Sequence, residues 1–412
     1  MIILEIIVYI CCFYLLFPLG SSVLSLIMSK KTEFEGKKES DFACIITVYK
    51  EMDIAWPLVR SLLAQNYPHF HIYLVADEVE MVQPPFFHEK LSFLKPAKGL
   101  RSKVASIDYA LNRIDKTPTH VVIFDPDNLV PAHFLSALDT YHSSGFPVVQ
   151  GRRIAKNMNS TYAALDALGD YFYDYTVRKV PFSLGSSSVI AGSGMSVKFD
   201  LYRKSISKEM EELKRHGVVI AEDKSLQLML VNMGHRIAYA EEAIIFDEKV
   251  TSFHQVSRQR SRWLNSYFKH SGEALQSLFK GILKGDWNRI WFCVTTLMPP
   301  LFILVLTSFF LGVFFLFVNL PMTLLLGLSL GVFSAGFLII LLLNHAPSRV
   351  LYAIPHIPLF VWGQISGLLN IRKANKDFRA TSHDHIVEID EVWQNRKEEF
   401  RHLSRLWEKY PD

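Results

Sequence analysis

The feature that most constrains this 412-residue chain is the uneven placement of its charge. Residues 290–348 contain no Lys, Arg, Asp or Glu, residues 350–371 contain none, and residues 1–29 contain only Glu5. An apolar run of roughly 20 residues crosses about 30 Å of hydrocarbon as a helix, so these stretches read as membrane segments. All but two of the 84 charged residues fall in the other 301, a density of about 27 %, which is that of an ordinary globular domain. A globular domain framed by membrane segments excludes a wholly soluble protein, a disordered chain and a carrier made mostly of helices. The formal net charge of +4 is too balanced for a nucleic-acid footprint, so nucleic acid is not an expected partner.

The segments order the chain. Residues 1–29 open Met-Ile-Ile-Leu-Glu, without a basic leader, and Lys30, Lys31, Lys37 and Lys38 follow the apolar run. This is the pattern of an uncleaved anchor whose amino terminus faces out. A domain over 41–285 then lies in the cytosol, and a membrane region over 290–371 follows it. Asn319-Leu320-Pro321 divides that region into two spans, about 291–318 and 322–343. Residues 350–371, with Pro355, His356, Pro358 and Gln364, read as a re-entrant or interfacial segment or a third span. Arg372, Lys373, Lys376 and Arg379 come directly after it, which favours the first reading and a cytosolic tail over 372–412. Cys11, Cys12, Cys44 and Cys293 all lie in apolar runs and show no metal-ligand or disulfide spacing.

Within the domain, strand and helix signals alternate. Phe42-Ala-Cys-Ile-Ile-Thr-Val48, His71-Ile-Tyr-Leu-Val-Ala76 and His120-Val-Val-Ile-Phe124 read as buried strands, with helical spacing over 53–65 and 102–114. Such alternation predicts a parallel sheet with helices on both faces, and ligands bind such sheets at the carboxyl ends of the strands. Thr47, Tyr49 and Glu51 follow the first strand, Asp77 and Glu78 the second, Asp125 and Asp127 the third. Asp125-Pro126-Asp127 is either turn chemistry or a pair of carboxylates for a hard divalent cation completed by substrate phosphates. Glu222-Asp223 opens a helical stretch, as caps or as a general base for an incoming hydroxyl. Arg258-Gln-Arg-Ser-Arg-Trp263 sits just before the membrane region, as an interfacial anchor, a pyrophosphate clamp with a stacking indole, or both.

Together these residues resemble a membrane-embedded family 2 glycosyltransferase, the inverting class that includes cellulose, chitin, hyaluronan and poly-N-acetylglucosamine synthases. The likeness runs from about Ile45 to Ser266. It rests on Thr47-Val-Tyr-Lys-Glu51, Ser61-Leu-Leu-Ala-Gln-Asn-Tyr-Pro68, Asp77, Lys103 with Ala110-Leu-Asn112, Asp125-Pro-Asp127, Gly192-Ser193-Gly194, Glu222-Asp223 and Gln259-Arg-Ser-Arg-Trp263. Phe378-Arg-Ala-Thr-Ser-His383 is similar to the cytosolic segment after the last membrane helix of these synthases. Lys50, Glu78 and Ala221 depart from the usual pattern.

The resemblance implies a GT-A type, Rossmann-like α/β domain with a mixed sheet, cytosolic and flanked by transmembrane helices. It implies that Thr47, Tyr49, Glu51 and Asp77 hold the uridine of a UDP-sugar, with UDP-N-acetylglucosamine or UDP-glucose favoured, and that Lys103 faces its diphosphate. Asp125 and Asp127 are the implied ligands of Mg²⁺ or Mn²⁺, Asp223 the base with Glu222 in support, and Gln259 and Arg262 the closure over the pyrophosphate. Trp263, with Gly192, Ser193 and Gly194, is the implied acceptor site. The implied product is a growing β-linked polysaccharide made processively and exported; the alternative is one sugar added to a lipid-linked acceptor. The expected location is the plasma membrane, the inner membrane of a bacterium. Two full spans after the domain are few for a self-sufficient channel, which leaves room for a second copy or an accessory subunit.

Overall fold

A computed structural model describes residues 1–29, 39–80, 83–217, 219, 221–370, 385–403 and 407. The basic clusters Lys30, Lys31, Lys37, Lys38 and Arg372, Lys373, Lys376, Arg379, and the stretch 378–383, lie outside these residues. Helix α1 (Ile2–Met28) is apolar but for Glu5 and a few serines, and its Ser22 and Ser25 hydroxyls donate back to the carbonyls of Pro18 and Ser22, which satisfies them inside the helix.

The domain is built on seven strands: β1 (Phe42–Tyr49), β2 (Phe70–Asp77), β3 (Leu91–Leu94), β4 (His120–Phe124), β5 (Val148–Ala155), β6 (Met195–Lys198) and β7 (Ile237–Asp247). They form one sheet in the order β3-β2-β1-β4-β6-β5-β7. The first four run parallel, as the alternation predicts, and so do β5 and β7. Strand β6 is antiparallel to both neighbours, so the sheet is mixed, as the resemblance implies, and the parallel pairing that the alternation predicts is interrupted there. The cause is the entry to β6: Gly192 and Gly194 take φ of +82° and +62°, reversing the chain beside β4. A Cβ on Gly194 would stand 2.7 Å from Ile245, so the turn also needs the missing side chain.

Helices α2 (Trp56–Leu63) and α4 (Phe134–Ser143) bury one face of the sheet, and α3 (Lys103–Leu111), α7 (Phe199–His216) and α8 (Glu222–Asn232) the other. The remaining helices, α5 (Thr161–Tyr173) and the short α6 (Val180–Ser183), share a core with the apolar helix α1 and with the apolar helices that follow the domain. Serines set several of the starts: Ser102, Ser160 and Ser252 accept from the backbone N–H three residues on and cap α3, α5 and the long α9 (Phe253–Lys284).

After α9 the chain turns at Gly285 into α10 (Trp287–Thr296), α11 (Leu301–Leu316) and α12 (Leu320–Leu343). The sequence predicts one span over 291–318; instead α10 and α11 meet at 71°. Pro299 and Pro300 occupy the break, where they remove backbone donors and clash with the preceding turn. Among the described residues α1 and α12 are each long and apolar enough to cross a membrane, with a third crossing if α10 and α11 form one broken span. The segment after α12 contains α13 (Ser348–Leu351), a 3₁₀ turn over Ile354–His356 and α14 (Ile357–Leu369). With 13 residues α14 is about 20 Å long, short of the hydrocarbon thickness. It lies along α9 at close range: a Cβ on Gly367 would meet the Ser257 carbonyl at 2.8 Å, and the Ser257 and Ser366 hydroxyls are 3.1 Å apart.

The tail returns to the globular domain through α15 (Ile389–Arg396). Trp393 and Phe400 pack on Phe246 of β7, Arg396 donates to the Ala155 carbonyl, and Arg60 pairs with Glu388. The end of α12 and the sheet are tied by Arg152, 1 % exposed, which bonds the Asn344 carbonyl and amide oxygens at 3.1 Å and lies 3.4 Å from both Asp174 and Glu241.

Candidate active site

A cavity of about 1140 Å³ begins at the carboxyl ends of β1, β2 and β4, passes the starts of α8 and α9, and reaches α11, α12 and α14. Every site residue expected from the sequence lines it except Ser193 and Gly194. Ser193 is fully buried, its carbonyl accepting from Gln150, and Gly194 is spent on the turn into β6; of the three only Gly192 reaches the wall.

Four non-glycine residues with left-handed backbone, Lys50, Glu78, Arg101 and Ala221, stand at or beside the rim of this cavity. Such conformations cost free energy and persist where the surroundings impose them. At the β1 and β2 ends the Tyr49 hydroxyl donates to Glu78 at 3.0 Å, and Arg101 holds the other Glu78 oxygen at 2.6 Å. Both carboxylate oxygens of Asp77 accept backbone N–H groups, from Leu100 at 2.8 Å and Arg101 at 2.7 Å, which pins the loop leading to Ser102 and Lys103.

Lys103, at the first turn of α3, is the hub. Its ammonium donates to Asp125 at 2.7 Å and to the Gly192 carbonyl at 3.3 Å, and lies 3.7 Å from Glu222. Asn128 closes the Asp125-Pro126-Asp127 turn by accepting the Asp125 N–H at 2.9 Å. Asp127, 4 % exposed, accepts the Glu248 N–H at 2.9 Å, which joins the β4 end to the β7 end. Asp223 faces Gly192 so closely that a Cβ there would lie 3.4 Å from its carboxylate. On α9, Gln259, Arg262 and Trp263 share the wall, with Trp263 40 % exposed.

The sequence model of the glycosyltransferase-like family 2 matches residues 40–266, more than half of the chain. The chain is a family 2 glycosyltransferase. Among solved structures it is similar to the mannosyltransferase PcManGT from Pyrobaculum calidifontis, solved in complex with GDP-Man and Mn²⁺, with a TM-score of 0.55 at 15 % identity over 91 % of this chain and 100 % of that one. It is also similar to S. aureus TarS 1-349, with a TM-score of 0.37 at 16 % identity over 84 % of this chain and 94 % of that one. No curated protein matches the sequence. The likeness to PcManGT bears on fold, and with the mixed seven-stranded sheet makes the domain a Rossmann-like GT-A fold.

Charge in this glycosyltransferase site is strongly coupled. Burial alone would lower the Lys103 ammonium, but Asp125 and then Glu222 outweigh it and hold it above the usual lysine range. Burial raises the Glu222 carboxyl; Lys103 opposes that shift and Asp223 beside it adds to it. Arg262 is pushed down by burial and by Arg258, with Asp125 opposing.

Sequence reasoning missed the β5 and β7 side of the cavity. Asp247 at the end of β7, and Glu248 and Lys249 after it, line that side with Arg153 and Asp170. Lys249 pairs with Asp170 and, at 2.8 Å, with Asp247; Arg153 lies 3.6 Å from Asp247. The signal was present: an acidic strand end after Ala243-Ile-Ile-Phe246 is the pattern that picked out Asp77 and Asp125. Arg260 was missed as a separate actor. It pairs with the buried Asp166 at 2.5 Å, a contact that no local pattern announces.

Proposed function

We propose that this protein moves a sugar, with inversion, from a nucleotide diphosphate sugar onto an acceptor hydroxyl held at the cytosolic face of the membrane. The observation that carries the reading is the meeting of Asp223, Lys103 and Asp125 on one wall of a cavity that continues between membrane helices. Thr47, Tyr49, Glu51 and Asp77 border the nucleoside end, with UDP-N-acetylglucosamine and UDP-glucose as first candidates. The GDP-Man of PcManGT adds GDP-mannose to the donors worth testing.

Asp125 and Asp127 fit a divalent cation as hard oxygen donors on a rigid turn. Among the described residues no group of three or more His, Cys, Asp or Glu could hold a metal alone, which suits an ion whose shell the donor phosphates complete. When bound, Mg²⁺ or Mn²⁺ supplies positive charge to the departing diphosphate. Lys103, Arg262 and Gln259 surround the same group with a cation, a guanidinium fork and an amide. Asp223 takes the acceptor proton as its oxygen attacks the anomeric carbon from the face opposite the nucleotide, so one displacement turns an α-linked donor into a β-linked product. Glu222 supports Asp223 through Lys103, and Trp263 offers its exposed face to the acceptor sugar.

The sequence points first to a growing polysaccharide and second to a lipid-linked acceptor. The second reading is favoured by the membrane end of the cavity, whose wall is largely Leu, Ile, Val and Phe. A polar glycan crossing the bilayer needs a wall that replaces its hydration, and an apolar slot does not. The test is incubation of the purified protein in lipid with labelled UDP-N-acetylglucosamine, UDP-glucose and GDP-mannose, with Mg²⁺ or Mn²⁺, followed by sizing of the product. Lipid-extractable product of one sugar supports the second reading and high-molecular-weight product the first; no transfer from any donor overturns the function.

A further inference from the structure

We propose that Lys224 and Arg178 form an anion subsite on the acceptor side of Asp223 that holds the phosphate of a lipid-phosphate-linked sugar, with the hydrocarbon tail in the slot between α11, α12 and α14. This rests on the reading of Asp223 as the base given above.

Both cations line the cavity, Lys224 next in the chain to the base Asp223 and Arg178 near enough for its charge to act on the Lys224 ammonium. Lys224 follows Asp223 on α8, and among the described residues its ammonium has no hydrogen-bond or ion-pair partner. Arg178 comes from the π-turn Asp174–Lys179; among the described residues its buried Nε has no hydrogen-bond partner and its one ion pair is with Asp174 at 3.7 Å. Asp174 is already engaged: Tyr239 donates to both of its oxygens, Asn344 donates at 3.2 Å, and Arg152 lies 3.4 Å away. The pair is therefore under-neutralised. Burial pushes the Lys224 ammonium down, Asp223 opposes, and repulsion from Arg178 adds to the shift. Two partly buried like charges on one cavity wall, whose nearest carboxylates are Asp223 and the already engaged Asp174, are costly to hold, and a phosphate adds the counter-charge that a neutral sugar chain does not.

From these cations the same cavity runs on past Tyr173 and Met298 into a wall of Leu301, Val305, Phe333, Phe337, Ile354 and Phe360. Helix α12, which supplies two of these residues, is long and apolar enough to span the bilayer. Anion subsite and apolar slot in one continuous space match an amphiphile with a phosphate at its head. The covalent step is unchanged: the sugar hydroxyl of the acceptor bonds to the anomeric carbon, the bond from that carbon to the donor diphosphate breaks, and the nucleoside diphosphate leaves with the electron pair. The hydroxyl proton goes to Asp223. The lipid phosphate is bound and not consumed.

Three probes separate head from tail: a dodecyl-phosphate-linked sugar, the neutral dodecyl glycoside of the same sugar, and the tailless sugar 1-phosphate. Equilibrium binding to the full-length protein in nanodiscs should favour the first over either of the others at least tenfold. Lys224→Gln should erase the preference for phosphate while leaving nucleotide-sugar affinity within about twofold, and Lys224→Arg should restore most of it. Arg178→Gln should act the same way if it folds; Lys224→Gln decides the matter if it does not. Equal binding of the neutral glycoside, an unchanged preference in Lys224→Gln, or equal competition by phosphatidylglycerol overturns the proposal, the last by making the slot a site for bilayer lipid. Binding is read without turnover, so a protein that binds the phosphate lipid yet transfers no sugar sinks the proposed function and leaves the subsite standing.

Discussion

The guanidinium of Arg260 lies 4.1 Å from the ring centre of Trp263 and is held there by the buried carboxylate of Asp166. Phe360 of α14 flanks the same guanidinium at 5.3 Å, so catalytic domain, α9 and α14 meet behind one face of the indole. The partly exposed indole is left for the cavity. Asp166→Asn should therefore loosen Trp263 without touching the donor. We expect the acceptor KM to rise roughly tenfold, in keeping with the about 0.5–2 kcal/mol of a cation–π contact, while the donor KM stays put. Steady-state kinetics with each substrate varied in turn give the answer, and equal changes in both constants would show Asp166 to be merely structural.

Asp223→Asn preserves shape and cannot accept a proton. Turnover should fall by about 10²–10⁴ with nucleotide-sugar binding retained. Trp263→Ala should instead lose transfer to the acceptor more severely than hydrolysis of the donor to water. If Asp223→Asn transfers sugar near the wild-type rate, the base lies elsewhere.

Asp127 joins the β4 end to Glu248 and is an expected metal ligand. Its replacement by Asn keeps an acceptor for the Glu248 N–H but removes a negative charge. The Mn²⁺ concentration for half-maximal activity should rise at least tenfold, with the melting temperature shifted little. An unchanged metal titration would remove Asp127 from the metal site.

His120, at the amino end of the central strand β4, and His142 of α4 stack 3.7 Å apart, with His142 bonded to Ser196 and to the Phe146 carbonyl. Burial, then Lys198, lowers His120 to about 4, and burial, then His120, lowers His142 as well. The folded state keeps both rings neutral where an unfolded chain protonates them near pH 6.5. The unfolded state therefore binds more protons between those limits, and stability falls as pH drops from about 6.5 to about 4. His120 alone accounts for on the order of 3 kcal/mol of that loss. Thermal melts of His120→Gln against wild type should show the gap between them closing, or reversing, as pH falls through this window.

The tail packs on the sheet through Trp393 and Phe400, which requires tail and domain to share one side of the membrane. The four native cysteines are buried, so a single cysteine at the exposed Lys397 is a clean reporter. In intact cells an impermeant maleimide should leave it unlabelled until the membrane is opened. Labelling from outside would mean that the chain crosses once more after α12.

The long apolar helices and the strand ends were legible in the sequence because each is a local pattern: length with at most one charge for α1 and α12, apolar β-branched runs closed by Asp77 and Asp125 for the sheet. Periodicity likewise located α3 and α8, though α3 ends at Leu111, earlier than the apolar spacing extends. The direction of β6 was not legible, since an isolated four-residue strand carries no mark of its neighbours; its reversal follows from two backbone angles at Gly192 and Gly194. The 71° break between α10 and α11 could have been read from Pro299-Pro300, but hydropathy alone runs straight through it.

What the sequence determined by itself is chemistry that depends on residue type and order: carboxylates after buried strands, an Arg and a Trp in one motif just before the charge-free region, helices fit for lipid. Only the tertiary structure decided which charges meet. Lys103 reaches Asp125 and Glu222 across 22 and 119 positions of chain, Arg260 finds Asp166, and Arg178 is left short of a counter-ion because Asp174 is shared with Tyr239, Asn344 and Arg152. Ion pairing depends on distance and burial, which a linear pattern does not encode, so the electrostatic character of the cavity emerges only when sheet, α9 and the apolar helices close around it.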